Sequence, residues 1–130
     1  MLDPTKIPLG IVGLGKMGSI HLAKALAHPE ILVVGVYDPN VDGLELQVRF
    51  PGVSLYSDVN ALLLDTDAVV IASPTPTHFE LAARALRAGV DVLIEKPIAQ
   101  TVEQAERLRD LARSYSCVLQ VGYLERYRLQ

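Results

Sequence analysis

IPLGIVGLGKMG, residues 7–18, is the stretch that decides the fold of this chain. Its first half, Ile7 to Val12, is a short apolar run typical of a strand that is buried on both faces. The second half is a glycine-rich turn that opens a helix. Gly13 permits a tight turn, Gly15 lets a ligand approach the backbone closely, and Gly18 lets the helix pack against the strand. The stretch therefore predicts the first strand, turn and helix of a parallel α/β fold.

Short β-branched runs alternate with helical stretches along the rest of the chain. We expect six strands, at Ile7–Val12, Ile31–Tyr37, Val53–Tyr56, Ala68–Ala72, Val90–Ile94 and Cys117–Val121. This alternation predicts a doubly wound parallel sheet with right-handed crossover helices on both faces, which is the Rossmann fold. In that architecture ligands bind at the carboxyl ends of the strands.

The composition is that of a soluble globular protein, with 50% hydrophobic residues, 21% charged residues and a net charge of −3 over 130 residues. The longest apolar run, residues 31–37, is too short to cross a bilayer, and no secretory signal is visible. We therefore expect no membrane partner and a cytoplasmic location. The basic residues are scattered and the aromatic residues form no stacking platform, which argues against nucleic acid as a partner. Cys117 is predicted to be a buried thiol, and no disulfide or metal site is expected.

Asp38 is the best candidate for a ligand contact outside the glycine turn. It lies twenty residues after Gly18, at the end of the second predicted strand. A carboxylate there can accept hydrogen bonds from the adenosine ribose of a dinucleotide. The helix start at Lys16 and Met17 would then face the pyrophosphate of the same ligand, so the pattern predicts a dinucleotide site. NAD is favoured over NADP, because a 2′-phosphate would meet like charge and no arginine follows in residues 39–41. The alternative is that Asp38 only caps the turn and helix that follow.

Two more polar segments follow predicted strands, Ser73-Pro74-Thr75-Pro76-Thr77-His78 after the fourth and Glu95-Lys96-Pro97 after the fifth. Both are expected at the carboxyl edge of the sheet. His78 lies on the apolar stripe of its helix, so the residues alone allow a core histidine as well as a ligand contact. Lys96 is either a solvated charge or an ammonium held in a cleft, and the spacing does not decide between them.

The chain resembles the N-terminal domain of the dehydrogenases grouped as glucose-fructose oxidoreductase, inositol dehydrogenase and their relatives. The likeness spans nearly all of the 130 residues. The motifs that carry it are the glycine turn with His21, Asp38-Pro39, Ser73-Pro74-Thr75 with His78, Glu95-Lys96-Pro97, and Val121-Gly122 with Arg126. Residues 125–128 depart from the Arg-Phe-Asn-Pro pattern common at the family's domain junction, which leaves the role of that loop open.

The resemblance implies roles for the two polar segments. It implies that residues 73–75 and His78 lie along the ribose and nicotinamide of a bound cofactor, and that Glu95 and Lys96 lie beside the reacting centre. In such enzymes the lysine is thought to hydrogen-bond the reacting hydroxyl while a histidine of a second domain acts as general acid or base. Lys96 is therefore the predicted catalytic residue. His21 also matches a common family residue, but its place on the first helix predicts packing or surface.

The predicted cofactor-binding residues are Gly13, Gly15, Lys16, Met17, Gly18, Asp38, Ser73, Pro74, Thr75, His78, Glu95 and Lys96. We expect residues 1–122 to form the dinucleotide-binding domain and residues 123–130 to begin the junction to a substrate domain that is absent. The resemblance implies an NAD-dependent dehydrogenase that moves hydride between nicotinamide and a hydroxyl of a sugar, cyclitol or related polyol, with homo-oligomer formation as one option. This chain alone is expected to lack activity. The alternative is a non-enzymatic dinucleotide-sensing or interaction module, in which Lys96 would have no task beside the nicotinamide.

Overall fold

The computed structural model describes residues 3–122 of the chain, and these form one sheet of six parallel strands with helices on both faces. The strands are β1 (Ile7–Val12), β2 (Ile31–Tyr37), β3 (Leu55–Tyr56), β4 (Ala68–Ile71), β5 (Asp91–Glu95) and β6 (Leu119–Gly122). The helices are α1 (Lys16–Ala27), α2 (Gly43–Arg49), α3 (Val59–Leu64), α4 (His78–Arg87) and α5 (Val102–Ser114), and a short 3₁₀ turn covers Thr75–Thr77.

The strands follow the order β3-β2-β1-β4-β5-β6, so the strand order, and not the strand direction, reverses between β1 and β4. This confirms the doubly wound parallel sheet that the alternating pattern predicts. Such a reversal opens a crevice at the carboxyl ends of the strands on either side of it, where ligands of open α/β sheets bind. β1, the strand that leads into the glycine turn, therefore lies at the centre of the binding edge.

Each face of the sheet has its own apolar core. On one face α1 and α2 bury Leu22 and Leu46 against Ile11 of β1 and Val36 of β2. On the other face α3, α4 and α5 bury a larger cluster, formed by Leu62, Leu86, Leu108 and residues of β4 and β5 such as Ile71 and Ile94. The near-continuous apolar character of the central strands follows from this two-sided burial.

The helix α3 was not expected from the sequence pattern. It is six residues long, fewer than two turns, so its apolar stripe does not show a helical period. Its start has a local signal, since Asp58 is the N-cap and its carboxylate accepts a hydrogen bond from the Asn60 amide at 3.0 Å. β1 and β2 have the predicted bounds, while the other strands are shifted or shortened at their ends, and β3 keeps only Leu55 and Tyr56.

Cys117 is only partly buried, whereas a buried thiol was expected. Its Sγ lies 3.8 Å from the Leu86 carbonyl oxygen and 3.5 Å from that of Tyr115. Desolvation raises the pKa of the Cys117 thiol, with a smaller contribution from the nearby Asp91 carboxylate. This environment disfavours the reactive thiolate, which agrees with a packing role. None of the helices within residues 3–122 is long and apolar enough to cross a membrane.

Gly18 is held against the glycine turn by a contact that leaves no room for a side chain. A Cβ atom built on Gly18 would lie 1.8 Å from the carbonyl oxygen of Gly13. Gly13 itself has φ of +92° and lies against the backbone of Ser73, at the end of β4. The first turn of α1 is therefore packed on backbone, which cannot move aside as a flexible side chain would.

We expect Gly18→Ala to lower the free energy of unfolding by about 3 kcal/mol or more, because the new methyl group would collide with the Gly13 carbonyl. The matched control is Gly43→Ala at the start of α2, where an added Cβ meets nothing within 4 Å. That variant should be neutral or more stable by up to about 1 kcal/mol, since alanine is the better helix former. Denaturant unfolding of both variants measures the difference, and equal stabilities would contradict this account of the turn.

Candidate cofactor site

A cleft of about 660 Å³ opens at the carboxyl edge of β1, β2 and β4. Its lining includes five of the predicted cofactor-binding residues, namely Gly13, Gly15, Asp38, Ser73 and Pro74. Seven predicted residues do not line it, and these are Lys16, Met17, Gly18, Thr75, His78, Glu95 and Lys96. The structure thus gathers the glycine turn, the β2 carboxylate and the loop after β4 around one cavity.

The glycine turn is tied to β2 and leaves its outer side open. The amide of Gly13 donates to the carbonyl oxygen of Tyr37, at the end of β2, over 2.9 Å. A Cβ built on Gly15, by contrast, would meet nothing within 4 Å, so the backbone at Gly15 borders open space. α1 begins at the next residue, Lys16, and the first amides of a helix have no partner within the helix. The turn therefore presents backbone donors and the positive end of a helix dipole, which suits an anion such as a pyrophosphate.

Asp38 holds the glycine turn in place through its carboxylate. Oδ2 accepts a hydrogen bond from the Leu14 amide at 2.8 Å, and Oδ1 accepts one from the Asn40 amide at 2.9 Å. Asp38 therefore caps the turn as the alternative predicts, but it does not cap the helix that follows, because the N-cap of α2 is Asp42. The turn contact does not exclude a ligand contact. A carboxylate has about four lone-pair sites, so two protein donors leave acceptor capacity for ribose hydroxyls on the cleft side.

The loop after β4 is braced by its own side chains. The hydroxyl groups of Ser73 and Thr77 lie 2.7 Å apart, and Thr77 Oγ1 also donates to the Pro74 carbonyl oxygen at 2.6 Å. These contacts close the 3₁₀ turn at Thr75–Thr77 before α4 begins. Ser73 and Pro74 form part of the cleft wall, and Thr75 does not.

His78 is fully buried, with 1% of its surface exposed, as its place on the apolar stripe allowed. Its Nε2 lies 2.7 Å from the Ser73 carbonyl oxygen and its Nδ1 lies 2.9 Å from the Pro97 carbonyl oxygen. Both partners are carbonyl oxygens, which only accept, so a ring nitrogen of His78 that carries a proton donates to the carbonyl it faces. Because both ring nitrogens are engaged with backbone, the predicted contact of His78 with a cofactor stays a prediction.

Glu95 and Lys96 lie where β5 leaves the sheet. The Glu95 side chain is 13% exposed, and its carboxylate lies 2.6 Å from Nε2 of His21, which is itself 6% exposed on α1. His21 is therefore packed rather than at the surface, and the contact with Glu95 is one that the sequence analysis missed. Lys96 is exposed beyond the end of the strand.

The far wall of the cleft comes from α4, which the sequence analysis did not place there. Arg84 and Glu80 line this wall together with Leu81, and the Arg84 guanidinium donates to Glu80 Oε1 at 2.7 Å. Their spacing, i and i+4 on a helix, is the signal of an exposed face, but it does not say what that face borders. Among residues 3–122, no three metal-binding side chains come close enough to hold a metal ion. The predicted junction at residues 123–130, with Arg126, lies outside the described residues.

Comparison with known proteins agrees with this geometry. Residues 7–123 match the family model described as an oxidoreductase family with an NAD-binding Rossmann fold, Gfo/Idh/MocA. The chain belongs to this family. The UDP-N-acetylglucosamine 3-dehydrogenase of Acidithiobacillus ferrooxidans is 37% identical over 122 residues, which are 90% of this chain and 37% of that protein. An inositol 2-dehydrogenase of Klebsiella pneumoniae is 33% identical over 127 residues, 93% of this chain and 38% of the relative.

Solved structures of family members have the same architecture. The structure of the Acidithiobacillus enzyme superimposes with a TM-score of 0.83 at 36% identity, covering 90% of this chain and 38% of the other. That of scyllo-inositol dehydrogenase from Lactobacillus casei gives a TM-score of 0.84 at 28% identity, covering 97% and 39%. This Gfo/Idh/MocA chain thus spans less than two fifths of the length of these relatives.

A substitution at Gly15 tests whether NAD approaches the open side of the turn. We expect Gly15→Val to fold with stability close to that of the wild type, since its side chain enters open space. It should bind NAD at least about tenfold more weakly, because the valine side chain occupies the space through which the ligand approaches the backbone. Isothermal titration with NAD measures the affinity, and thermal unfolding is the control. Unchanged NAD affinity in a folded variant would show that no ligand approaches the turn.

Proposed function

We propose that this chain is the cofactor-binding domain of an NAD-dependent oxidoreductase that moves hydride between nicotinamide and a hydroxyl of a sugar, cyclitol or related polyol. The observation that carries the proposal is the cleft that joins the glycine turn to Asp38, in a member of an NAD-binding oxidoreductase family. The substrate class comes from the relatives, whose names describe dehydrogenases of a nucleotide sugar and of inositol.

The residues present fit a dinucleotide in one orientation along the edge of the sheet. From one side to the other, this edge carries Asp38 after β2, the glycine turn after β1, Ser73 after β4 and Lys96 after β5. Neighbouring strands lie about 4.8 Å apart, so Asp38 and Lys96 are separated by three strand spacings, roughly 14 Å. An extended dinucleotide spans such a distance, with its adenosine near Asp38, its pyrophosphate over Gly15 and its nicotinamide toward Lys96.

Lys96 has the proposed catalytic role. NAD, when bound, supplies the nicotinamide ring that accepts or returns the hydride. The Lys96 ammonium would hydrogen-bond the oxygen of the reacting hydroxyl and stabilise the negative charge that develops there as its proton leaves. A lysine suits this task because its ammonium is a compact charge with three donors on a flexible stem.

The preference for NAD rests on Asp38, whose carboxylate would repel a 2′-phosphate on the ribose that it holds. Arg84 could favour NADP, because its guanidinium lines the same cleft. The sequence pattern does not show this, since residues 39–41 contain no arginine. The ion pair of Arg84 with Glu80 offsets its charge, so we propose that Asp38 decides the selectivity.

We expect the wild-type chain to bind NAD more tightly than NADP, and Asp38→Ala to weaken NAD binding by roughly tenfold to a hundredfold, the equivalent of a lost hydrogen bond to a charged group. Asp42→Ala is the matched control, because Asp42 also accepts a backbone hydrogen bond, from the Glu45 amide, but does not line the cleft. Titration of both nucleotides into the wild type, these two variants and Arg84→Ala gives the comparison. Equal affinities for NAD and NADP in the wild type, or NADP binding that Arg84→Ala abolishes, would contradict the assignment.

We expect the 130-residue chain to bind NAD but to catalyse no dehydrogenation of sugars, inositols or other polyols. Catalysis requires a second group that exchanges the proton and a surface that holds the hydroxyl roughly 3 to 3.5 Å from the nicotinamide. All three histidines of the chain have other partners, since His21 contacts Glu95, His28 contacts the Glu30 amide and His78 contacts two carbonyl groups. Absorbance of reduced cofactor measures turnover. Activity that disappears in Lys96→Ala would show that the chain is a complete enzyme.

A further inference from the structure

Two of the three histidines in the chain are buried, and both contact the same three-residue segment. This segment, Glu95-Lys96-Pro97, is called the lysine segment below. His21 contacts the Glu95 carboxylate at 2.6 Å, and His78 contacts the Pro97 carbonyl oxygen at 2.9 Å. The two contacts involve the residues immediately before and after Lys96.

The two histidines reach the lysine segment from opposite faces of the sheet. Successive side chains of a strand point to opposite faces, and Leu93 packs with the core under α1 while Ile94 is buried in the core under α4 and α5. Glu95 therefore points to the α1 face, where His21 lies. His78 belongs to α4, on the other face.

Each contact also connects the lysine segment to a part of the cofactor cleft. His21 lies on α1, the helix that starts at the glycine turn. The second ring nitrogen of His78 contacts the carbonyl oxygen of Ser73, a residue of the cleft wall. The positions of the glycine turn, the loop after β4 and the lysine segment are thus coupled through two imidazole rings.

Space filling alone does not explain these residues. A buried carboxylate or imidazole loses hydration that an apolar side chain of similar volume would not lose, so apolar packing would be at least as stable. The Glu95 carboxylate is further confined by β6, since a Cβ built on Gly122 would lie 3.3 Å from Glu95 Oε1. Polar contacts in this setting select one arrangement of the segment rather than adding general stability.

We propose that His21 and His78 are positioning residues that together hold the lysine segment from the two faces of the sheet and so set where Lys96 stands relative to the cofactor cleft. The importance of this position for catalysis rests on the proposed function. The two histidine contacts themselves, called the clamp below, are a property of the chain alone. Neither histidine touches substrate in this scheme. His21 acts through the Glu95 side chain and His78 through the Pro97 carbonyl group, on either side of Lys96.

The test is the order of the Lys96 backbone amide in the ¹⁵N-labelled chain without cofactor. We expect an order parameter of about 0.85 in the wild type, as for the strands, and a value below about 0.6 in His21→Leu and in His78→Leu. The amides of Ile11 and Ile94 should be unchanged. A purely structural role would lower the melting temperature without this local loss of order. His28→Leu is the matched control, because His28 is an exposed histidine at the end of the same helix as His21, and it should leave Lys96 ordered.

His21→Gln provides the rescue, since its amide donates where Nε2 stood, and it should keep the Lys96 order parameter above about 0.8. If His21→Leu does not fold, Glu95→Leu removes the same hydrogen bond from the other partner and is expected to loosen Lys96 equally. An ordered Lys96 in the folded leucine variants, or a folded His21→Gln chain as loose as His21→Leu, would overturn the proposal. A separate NAD titration of the wild type distinguishes the two proposals, because a failure to bind NAD would contradict the proposed function and leave the clamp standing.

Discussion

The close approach of Gly18 to the carbonyl group of Gly13 is the constraint on which the binding edge depends. It forces the first turn of α1 down onto the end of β1, and Gly13 in turn lies against the backbone of Ser73 after β4. As a result, α1 starts at the carboxyl edge, directly after Gly15, which lines the cleft. The positive end of the α1 dipole thus lies at the binding edge because Gly18 and Gly13 have no side chains that would keep α1 and β1 apart.

Asp38 shows how one side chain can have a structural role and also line a ligand cleft. Its carboxylate accepts hydrogen bonds from the Leu14 and Asn40 amides, so it orders the glycine turn, and two protein donors leave some of its acceptor capacity unused. A polar group that is already fixed by backbone donors loses little conformational entropy when a ligand arrives. The turn-capping and ribose-binding interpretations of Asp38 are therefore complementary rather than competing.

Parallel strands place the functional parts of the domain side by side in an order different from their order in the chain. Asp38, Gly15, Ser73 and Lys96 follow different strands, and the sheet arranges them along one edge. The two buried histidines connect neighbouring parts of this edge. His78 joins the loop after β4 to the loop after β5, and His21 joins α1 to β5. The regular sheet sets the distances between the strand ends, and the polar contacts of the histidines set how the loops after these strands are positioned relative to one another.

The sequence by itself determined the elements whose cause is local. The apolar runs predict β1 and β2 with correct bounds, and the glycine spacing predicts the turn into α1, because φ preferences and side-chain periodicity act within a few residues. Only the tertiary structure decided that His21 meets Glu95, 74 residues away, and that Arg84 of α4 lines the cleft with Asp38. These contacts depend on the strand order and on how each helix is rotated against the sheet, which are set by the packing of the two cores as a whole.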